Sequence, residues 1–314
     1  MADRGLSWSC SRADVFSRCR LEYFYNYIAS YNGWERDADP FARTCFVLKH
    51  TKNRYAWMGD LVHEVLERFF ASYADGKPMS REAIAALADR NMRSQFREST
   101  EQKYRQAPGR YNGLVEHENN LEVTDDQWKR IHENVVTCAA NFFLTPVYRD
   151  DILASSLPLF RTEKLEHYFI DEIKVYAKPD VVFRREGGID IIDWKTGSPD
   201  DSHDFQMHYY ALYGIKKFDL PPERVSARLI YLKDNLIRRV EMSPQSLAGA
   251  EDYVRGSFAE MAALEKDLEQ GARGEGLPGA KAASTCRLCR FQKICAKKIT
   301  AAPCTSPADR PHQP

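Results

Sequence analysis

The sequence predicts an α/β fold, a mixed central sheet flanked by helices and carrying a helical insertion. Three observations predict it. Apolar residues recur at helical spacing through the first half of the chain. Near residue 159 the pattern changes to the two-residue alternation of strands. After that point strands and helices interleave, the arrangement from which layered α/β sheets are built.

The elements follow in order. Ser11-Arg12-Ala13-Asp14 has the form of a capping box opening a first helix, with Phe16, Cys19, Tyr23 and Tyr27 at helical spacing. Residues 32–55 read as irregular. A second helix is expected over 59–73, with Leu61, Val62, Val65, Leu66, Phe69 and Phe70 as its apolar face. Residues 80–105 are polar and read as helical. Thr124-Asp125-Asp126-Gln127 is a second capping box, opening a helix to about 144. Residues 76–150 therefore read as a helical insertion, without an interpretable motif.

Strands are expected at 159–170, 173–183 and 188–196, the last two joined by a turn at Gly187-Gly188. A helix at 204–218 precedes strands at 225–232 and 236–242. A charged helix over 244–269 leads to a linker marked by Gly271, Gly274, Gly276 and Gly279. A cysteine cluster at 284–298 comes next, and the proline-rich tail 301–314 reads as disordered. Residues 1–300 read as a single domain.

Composition excludes several classes. No apolar run has the length of a bilayer span, and the first ten residues lack a signal-type stretch, so a cytoplasmic protein without a membrane partner is expected. Lysine plus arginine equals aspartate plus glutamate at 45 each, so any nucleic-acid surface must be local. Two groups could supply it: Arg12, Arg18 and Arg20, or Arg287, Arg290, Lys293, Lys297 and Lys298. The bland reading of both is a solvated surface. No G-x-x-x-x-G-K-[ST] phosphate loop is present.

The densest chemistry lies in Pro179-Asp180 and in Ile189-Asp190-Ile191-Ile192-Asp193-Trp194-Lys195. Alternation puts Asp193 and Lys195 on one face of a strand and Trp194 on the other. Asp180, on the preceding strand of a hairpin, is expected beside Asp193. Close carboxylates raise each other's pKa, and a hard divalent cation removes that conflict. Such a metal activates water and neutralises a scissile phosphate, while Lys195 orients the water or stabilises the developing charge. The competing reading is a solvated edge strand. Ile189, Ile191 and Ile192 argue against it, because they mark a buried strand where unpaired charge is costly.

These residues resemble the PD-(D/E)XK nuclease superfamily. Gly59-Asp60-Leu61-Val62-His63 and Gln206-Met207-His208-Tyr209-Tyr210 extend the resemblance to its RecB-like branch, in the family's chain order. The resemblance implies a restriction-endonuclease-like sheet and a metal held by Asp180 and Asp193 with His63 beside them. It implies a catalytic Lys195, with Gln206 and Tyr210 contributing to the active site or to DNA contacts. Glu163 is a looser match to a further acidic position. Without the resemblance, His63 could pair with Glu67, and Gln206 and Tyr210 could be ordinary helix surface and core.

Eight cysteines in a long cytosolic chain point to metal rather than disulfides. Cys10, Cys45, Cys138 and Cys304 show no ligand spacing and read as buried or incidental thiols. Cys286, Cys289 and Cys295 follow C-x2-C-x5-C and need a fourth ligand; spacing alone favours zinc. The segment is similar to iron–sulfur nucleases of the AddB type and to CRISPR-adaptation nucleases, which pair one early cysteine with three late ones. That similarity implies a [4Fe–4S] cluster on Cys19, Cys286, Cys289 and Cys295. The proline expected after the first cysteine is Arg20 here, and Cys10 competes as the fourth ligand. Such a cluster would act as an end-to-end staple, worth about 5 kcal/mol by analogy with disulfide loop entropy.

The expected function is Mg2+- or Mn2+-dependent hydrolysis of DNA, as an exonuclease on single-stranded or free ends. Its setting would be repair, recombination or CRISPR adaptation, with a helicase or CRISPR/repair partner. The exonuclease choice rests on family analogy. The alternatives are a catalytically silent DNA-binding subunit of a helicase–nuclease complex and an electron-transfer protein.

Overall fold

The computed structural model describes residues 5–154, 159–162, 164–271, 274–280 and 282–297. Glu163, Lys298, Cys304 and the tail 301–314 lie outside the described residues. Helices are α1 (Cys10–Arg18), α2 (Arg20–Tyr23), α3 (Pro40–Lys49), α4 (Arg54–Ala74), α5 (Arg81–Thr100), α6 (Val115–Asn119), α7 (Asp125–Asn141), α8 (Ser202–Phe218), α9 (Pro244–Glu269) and α10 (Ala283–Arg287). Strands are β1 (Thr51–Lys52), β2 (Gly113–Leu114), β3 (Leu159–Thr162), β4 (Glu166–Ile170), β5 (Ile173–Ala177), β6 (Val181–Arg185), β7 (Gly188–Lys195), β8 (Val225–Tyr231) and β9 (Leu236–Val240).

Local chemistry sets several boundaries. The reciprocal capping box at Thr124 forms: its hydroxyl accepts from Gln127 N–H at 3.3 Å, and Gln127 Oε1 accepts from Thr124 N–H at 3.0 Å. The first helix departs from the expected span. It begins at Cys10, before the proposed Ser11 box, and breaks at Cys19, whose backbone is extended. The stretch 32–55 is not irregular throughout, because it contains α3. Asp39 caps that helix through Phe41 and Ala42 N–H, and Pro40 supplies a first-turn φ. A cap of this kind is worth about 1 kcal/mol.

Two expected strands are each cut in two. Residues 159–170 split into β3 and β4, and 173–183 into β5 and β6. β4 and β5 form their own hairpin, with Ile170 opposite Ile173, while β3 and β6 join the main sheet. Pro179 lies at the break between β5 and β6, and its lack of an N–H suits a point where the ladder changes partner.

The chain forms two compact units. The first comprises Met1–Cys10, Met58–Asn91 and Lys129–Ala259. Its five-stranded sheet has the order β3-β6-β7-β8-β9, antiparallel except for the parallel pair β7–β8. α8 is the crossover that a parallel pair requires. It lies close on the sheet at Gly214, where a Cβ would stand 2.8 Å from Ile189 Cδ1. Trp194 faces the other side of β7, stacks with Phe70 and meets Phe142 edge-to-face. On that side a buried network joins Asp190 and Asp151 to Arg185 and Arg228. Unpairing such a charge costs about 3–5 kcal/mol.

The second unit comprises Ser11–Trp57, Met92–Trp128 and Glu260–Pro314. Cys19, Leu21, Tyr25, Cys45, Leu48 and Phe291 form a core in it. Glu118, 3% exposed, accepts from the Tyr104 hydroxyl at 2.5 Å and pairs with Arg105 and Lys293. The stretch 76–150 contributes to both units, since 92–128 belongs to the second and its flanks to the first. Among the described residues no helix is long and apolar enough to cross a membrane.

Candidate active site and cysteine cavity

In the first unit, β7 presents Asp193 and Lys195 on one face, as alternation requires. Val181 pairs with Ile192, so Asp180, one residue before β6, comes level with Asp193. The ladder continues through a side chain: Asp180 Oδ2 accepts from Trp194 N–H at 2.7 Å. Its other oxygen lies 2.9 Å from His63 Nδ1 on α4. Asp180 is 5% exposed and Asp193 2%, so both carboxylates are buried.

Lys195 Nζ stands 2.7 Å from Asp193 Oδ2. That oxygen is buried and makes no well-angled hydrogen bond among the described residues. The contact is an ion pair by distance but is poorly aligned as a hydrogen bond. The lysine's directed bond goes instead to Gln206 Oε1 at 2.5 Å. Gln206 Nε2 donates to the Tyr210 hydroxyl at 3.0 Å, and that hydroxyl donates to Lys178 O at 2.9 Å. Gln206 and Tyr210, one helical turn apart on α8, thus set the position of the ammonium.

Burial works against the Lys195 charge, but Asp193 and then Asp180 outweigh it and hold its pKa above the ordinary lysine value. Tyr210 is driven well above its usual range by burial, with Asp193 and Asp180 adding to the effect. At neutral pH the site holds a cationic lysine and a neutral, donating phenol.

All six residues expected at the site, His63, Asp180, Asp193, Lys195, Gln206 and Tyr210, lie in this unit. They are joined by the contacts above. Among the described residues, no three His, Cys, Asp or Glu side chains stand close enough to hold a metal ion. The donor types suit a hard divalent cation: two buried carboxylates lie at one level of neighbouring strands, with Lys195 paired to one of them. The sequence reading passed over His203. It lies three residues before Gln206 on α8, and its Nδ1 is 3.0 Å from the Tyr231 hydroxyl. Burial and then the nearby Lys195 charge lower its pKa. The only available signal was its spacing from Gln206.

In the second unit, Cys19, Cys286, Cys289 and Cys295 line one cavity, together with Glu22 and Phe291. Cys19 sits at the break between α1 and α2, where Glu22 N–H donates to its Sγ at 3.4 Å. Burial pushes the Cys19, Cys286 and Cys289 thiols up. Cys10 does not line this cavity; it belongs to the first unit. Cys45 and Cys138 are fully buried, with thiols pushed up to about 12 by burial.

A central strand thus carries Asp193 and Lys195 on one face, with Asp180 held level with Asp193 by the neighbouring strand. A model of the PD-(D/E)XK nuclease superfamily matches residues 7–296, and the chain belongs to that superfamily. No curated protein matches the chain.

Proposed function

We propose that the chain is a Mg2+- or Mn2+-dependent deoxyribonuclease, acting as an exonuclease on single-stranded DNA ends. The observation that carries this reading is that buried Asp180 and Asp193 lie at one level of neighbouring strands, with Lys195 paired to Asp193. His63, Asp180 and Asp193 are the residues that would hold the cation, once their side chains draw closer together than they stand here. When bound there, it supplies an activated water and neutralises the scissile phosphate. The chain's own groups do the rest. Trp194 N–H and His63 orient Asp180. Gln206 and Tyr210 fix Lys195, whose charge stabilises the pentavalent phosphate and positions the attacking water.

We further assign the cavity of Cys19, Cys286, Cys289 and Cys295 to a [4Fe–4S] cluster, with zinc as the competing occupant. The four thiols in one cavity support a four-cysteine ligand set that excludes Cys10. Four thiolates on one zinc would stand about 3.8 Å apart, as Zn–S bonds of about 2.3 Å require. Ligands on separate irons of a cluster are spread more widely. Action in DNA repair, recombination or CRISPR adaptation, beside a helicase or CRISPR partner, follows from the nuclease resemblance.

The test is cleavage of 5′- and 3′-labelled single- and double-stranded DNA with Mg2+ or Mn2+. Stepwise shortening of single strands from one end is expected. Absence of cleavage on every substrate with either metal would overturn the assignment.

A further inference from the structure

We infer that the second unit carries a single-stranded DNA track along Tyr31, Trp34, Phe46 and His50. In taking DNA as the ligand, this inference rests on the nuclease reading. The four rings follow one another: Tyr31 to Trp34 at 5.4 Å between centroids, Trp34 to Phe46 at 6.0 Å, and Phe46 to His50 at 4.6 Å. None is core. Trp34 is 50% exposed, and the other three are partly exposed.

The strip is held in place by the backbone. Gly33 brings the Trp34 turn onto α3 so closely that a Cβ would lie 2.4 Å from Ala42 O and 2.5 Å from Phe46 Cβ. His50 Nδ1 is 2.7 Å from Phe46 O, which fixes the last ring. The rings are therefore positioned before any ligand arrives, and preorganised aromatic surface lowers the ordering cost of binding.

Charge supplies the second observation. In this unit Arg12, Arg18, Arg20, Arg54, Arg105 and Lys293 each pair with a glutamate. Several cations singled out in the sequence are thereby neutralised within the fold. Lys49 and Arg290 behave differently. Lys49 Nζ lies 5.1 Å from the Phe46 ring centroid, and Arg290 donates to Lys49 O at 2.5 Å. Neither makes an ion pair with a carboxylate among the described residues. The charges that act on His50 are Lys49, Arg290 and Lys52, all positive.

The chain as a whole has 45 basic and 45 acidic residues, yet Lys49 and Arg290, without a carboxylate partner among the described residues, stand beside partly exposed rings. That pairing matches the chemistry of an unpaired strand, whose bases stack on rings while its phosphates meet cations. A duplex keeps its base faces covered and can offer only phosphates. Arg290 reaches the strip from the cysteine segment, next to Cys289, so the order of that segment is linked to the track.

The experiment uses the full chain in EDTA, so that strands remain uncut. Anisotropy of a labelled oligothymidine of roughly 20 nucleotides is compared with that of a duplex of equal length. Trp34→Ala should weaken single-strand binding roughly ten-fold or more, with duplex binding changed less than about two-fold. Trp34→Phe should restore most of the affinity, and Trp34→Leu, which keeps an apolar body without a ring, should not. Lys49→Gln should weaken binding and reduce the salt slope by about 0.7.

Unchanged single-strand affinity in Trp34→Leu and Lys49→Gln overturns the track, as does equal loss on duplex. Preference for an oligouridine competitor would assign the strip to RNA and overturn the proposal. Parallel Mg2+ assays of wild-type protein separate the two claims. Cleavage with Trp34-independent binding leaves the nuclease and removes the track. Trp34-dependent binding without cleavage does the reverse.

Discussion

Asp180 Oδ2 accepts a 2.7 Å hydrogen bond from the backbone N–H of Trp194, so the strand bearing Asp193 and Lys195 also holds the opposing carboxylate. Because the donor on β7 is a main-chain N–H, the bond survives side-chain replacement on that strand. Asp193→Asn should thus leave Asp180 in place while removing one anion from the cation site. We predict that Asp180→Asn and Asp193→Asn each reduce cleavage by about 10³-fold or more, with DNA affinity within a few-fold of wild type. Single-turnover cleavage with saturating Mg2+, alongside binding in EDTA, checks this. Wild-type rates in either variant would remove both residues from the chemistry.

Gln206 and Tyr210 act at one remove. Tyr210 anchors to Lys178 O and passes its position to Gln206, which holds Lys195. Tyr210→Phe deletes that anchor without creating a large cavity. Gln206→Leu deletes the Lys195 partner itself. Both should lower kcat by about 10- to 100-fold, the range seen when a supporting hydrogen bond is lost, with KM nearly unchanged. A rise in KM at constant kcat would instead place these groups in DNA binding.

Gly214 tests the packing of α8 on the sheet. A Cβ there would stand 2.8 Å from Ile189 Cδ1 and 3.3 Å from Val225 Cγ1. Helix propensity favours alanine by about 1 kcal/mol, whereas overpacking costs about 1–3 kcal/mol. Crowding should win, because both neighbours lie on buried strands. Gly214→Ala is expected to lower Tm by a few degrees, and an unchanged or raised Tm would show that Ile189 can yield.

The site was more legible than the boundaries around it. Asp193 and Lys195 share a face because strand alternation is a property of the backbone alone. The Thr124 capping box is equally local, and it forms as read. Alternation does not say where a strand changes partner, however. The 173–183 run looked like one strand although its halves enter different sheets. The α3 signal, Asp39-Pro40, was present but sits among charged and turn-forming residues that masked it. His203 escaped because its link to Tyr231 depends on the β7–β8 register, which is a tertiary fact.

The cysteine cavity yields the last prediction. Cys19 lies more than two hundred residues before Cys286 in sequence, yet both line one cavity. A cofactor bound there closes a long loop, and loop closure of this kind restricts the unfolded chain by about 5 kcal/mol. Anaerobically purified protein should contain about four irons and four sulfides per chain and absorb broadly in the visible. Cys19→Ser, Cys286→Ser, Cys289→Ser and Cys295→Ser should each reduce iron content and Tm together. Cys10→Ser should leave iron unchanged, because Cys10 is not among the residues that line the cavity. Cys45→Ser and Cys138→Ser should also retain iron while losing some stability, since both thiols are fully buried. Iron lost from Cys10→Ser but kept in Cys19→Ser would move the fourth ligand to Cys10. Stoichiometric zinc without iron would replace the cluster with a single ion.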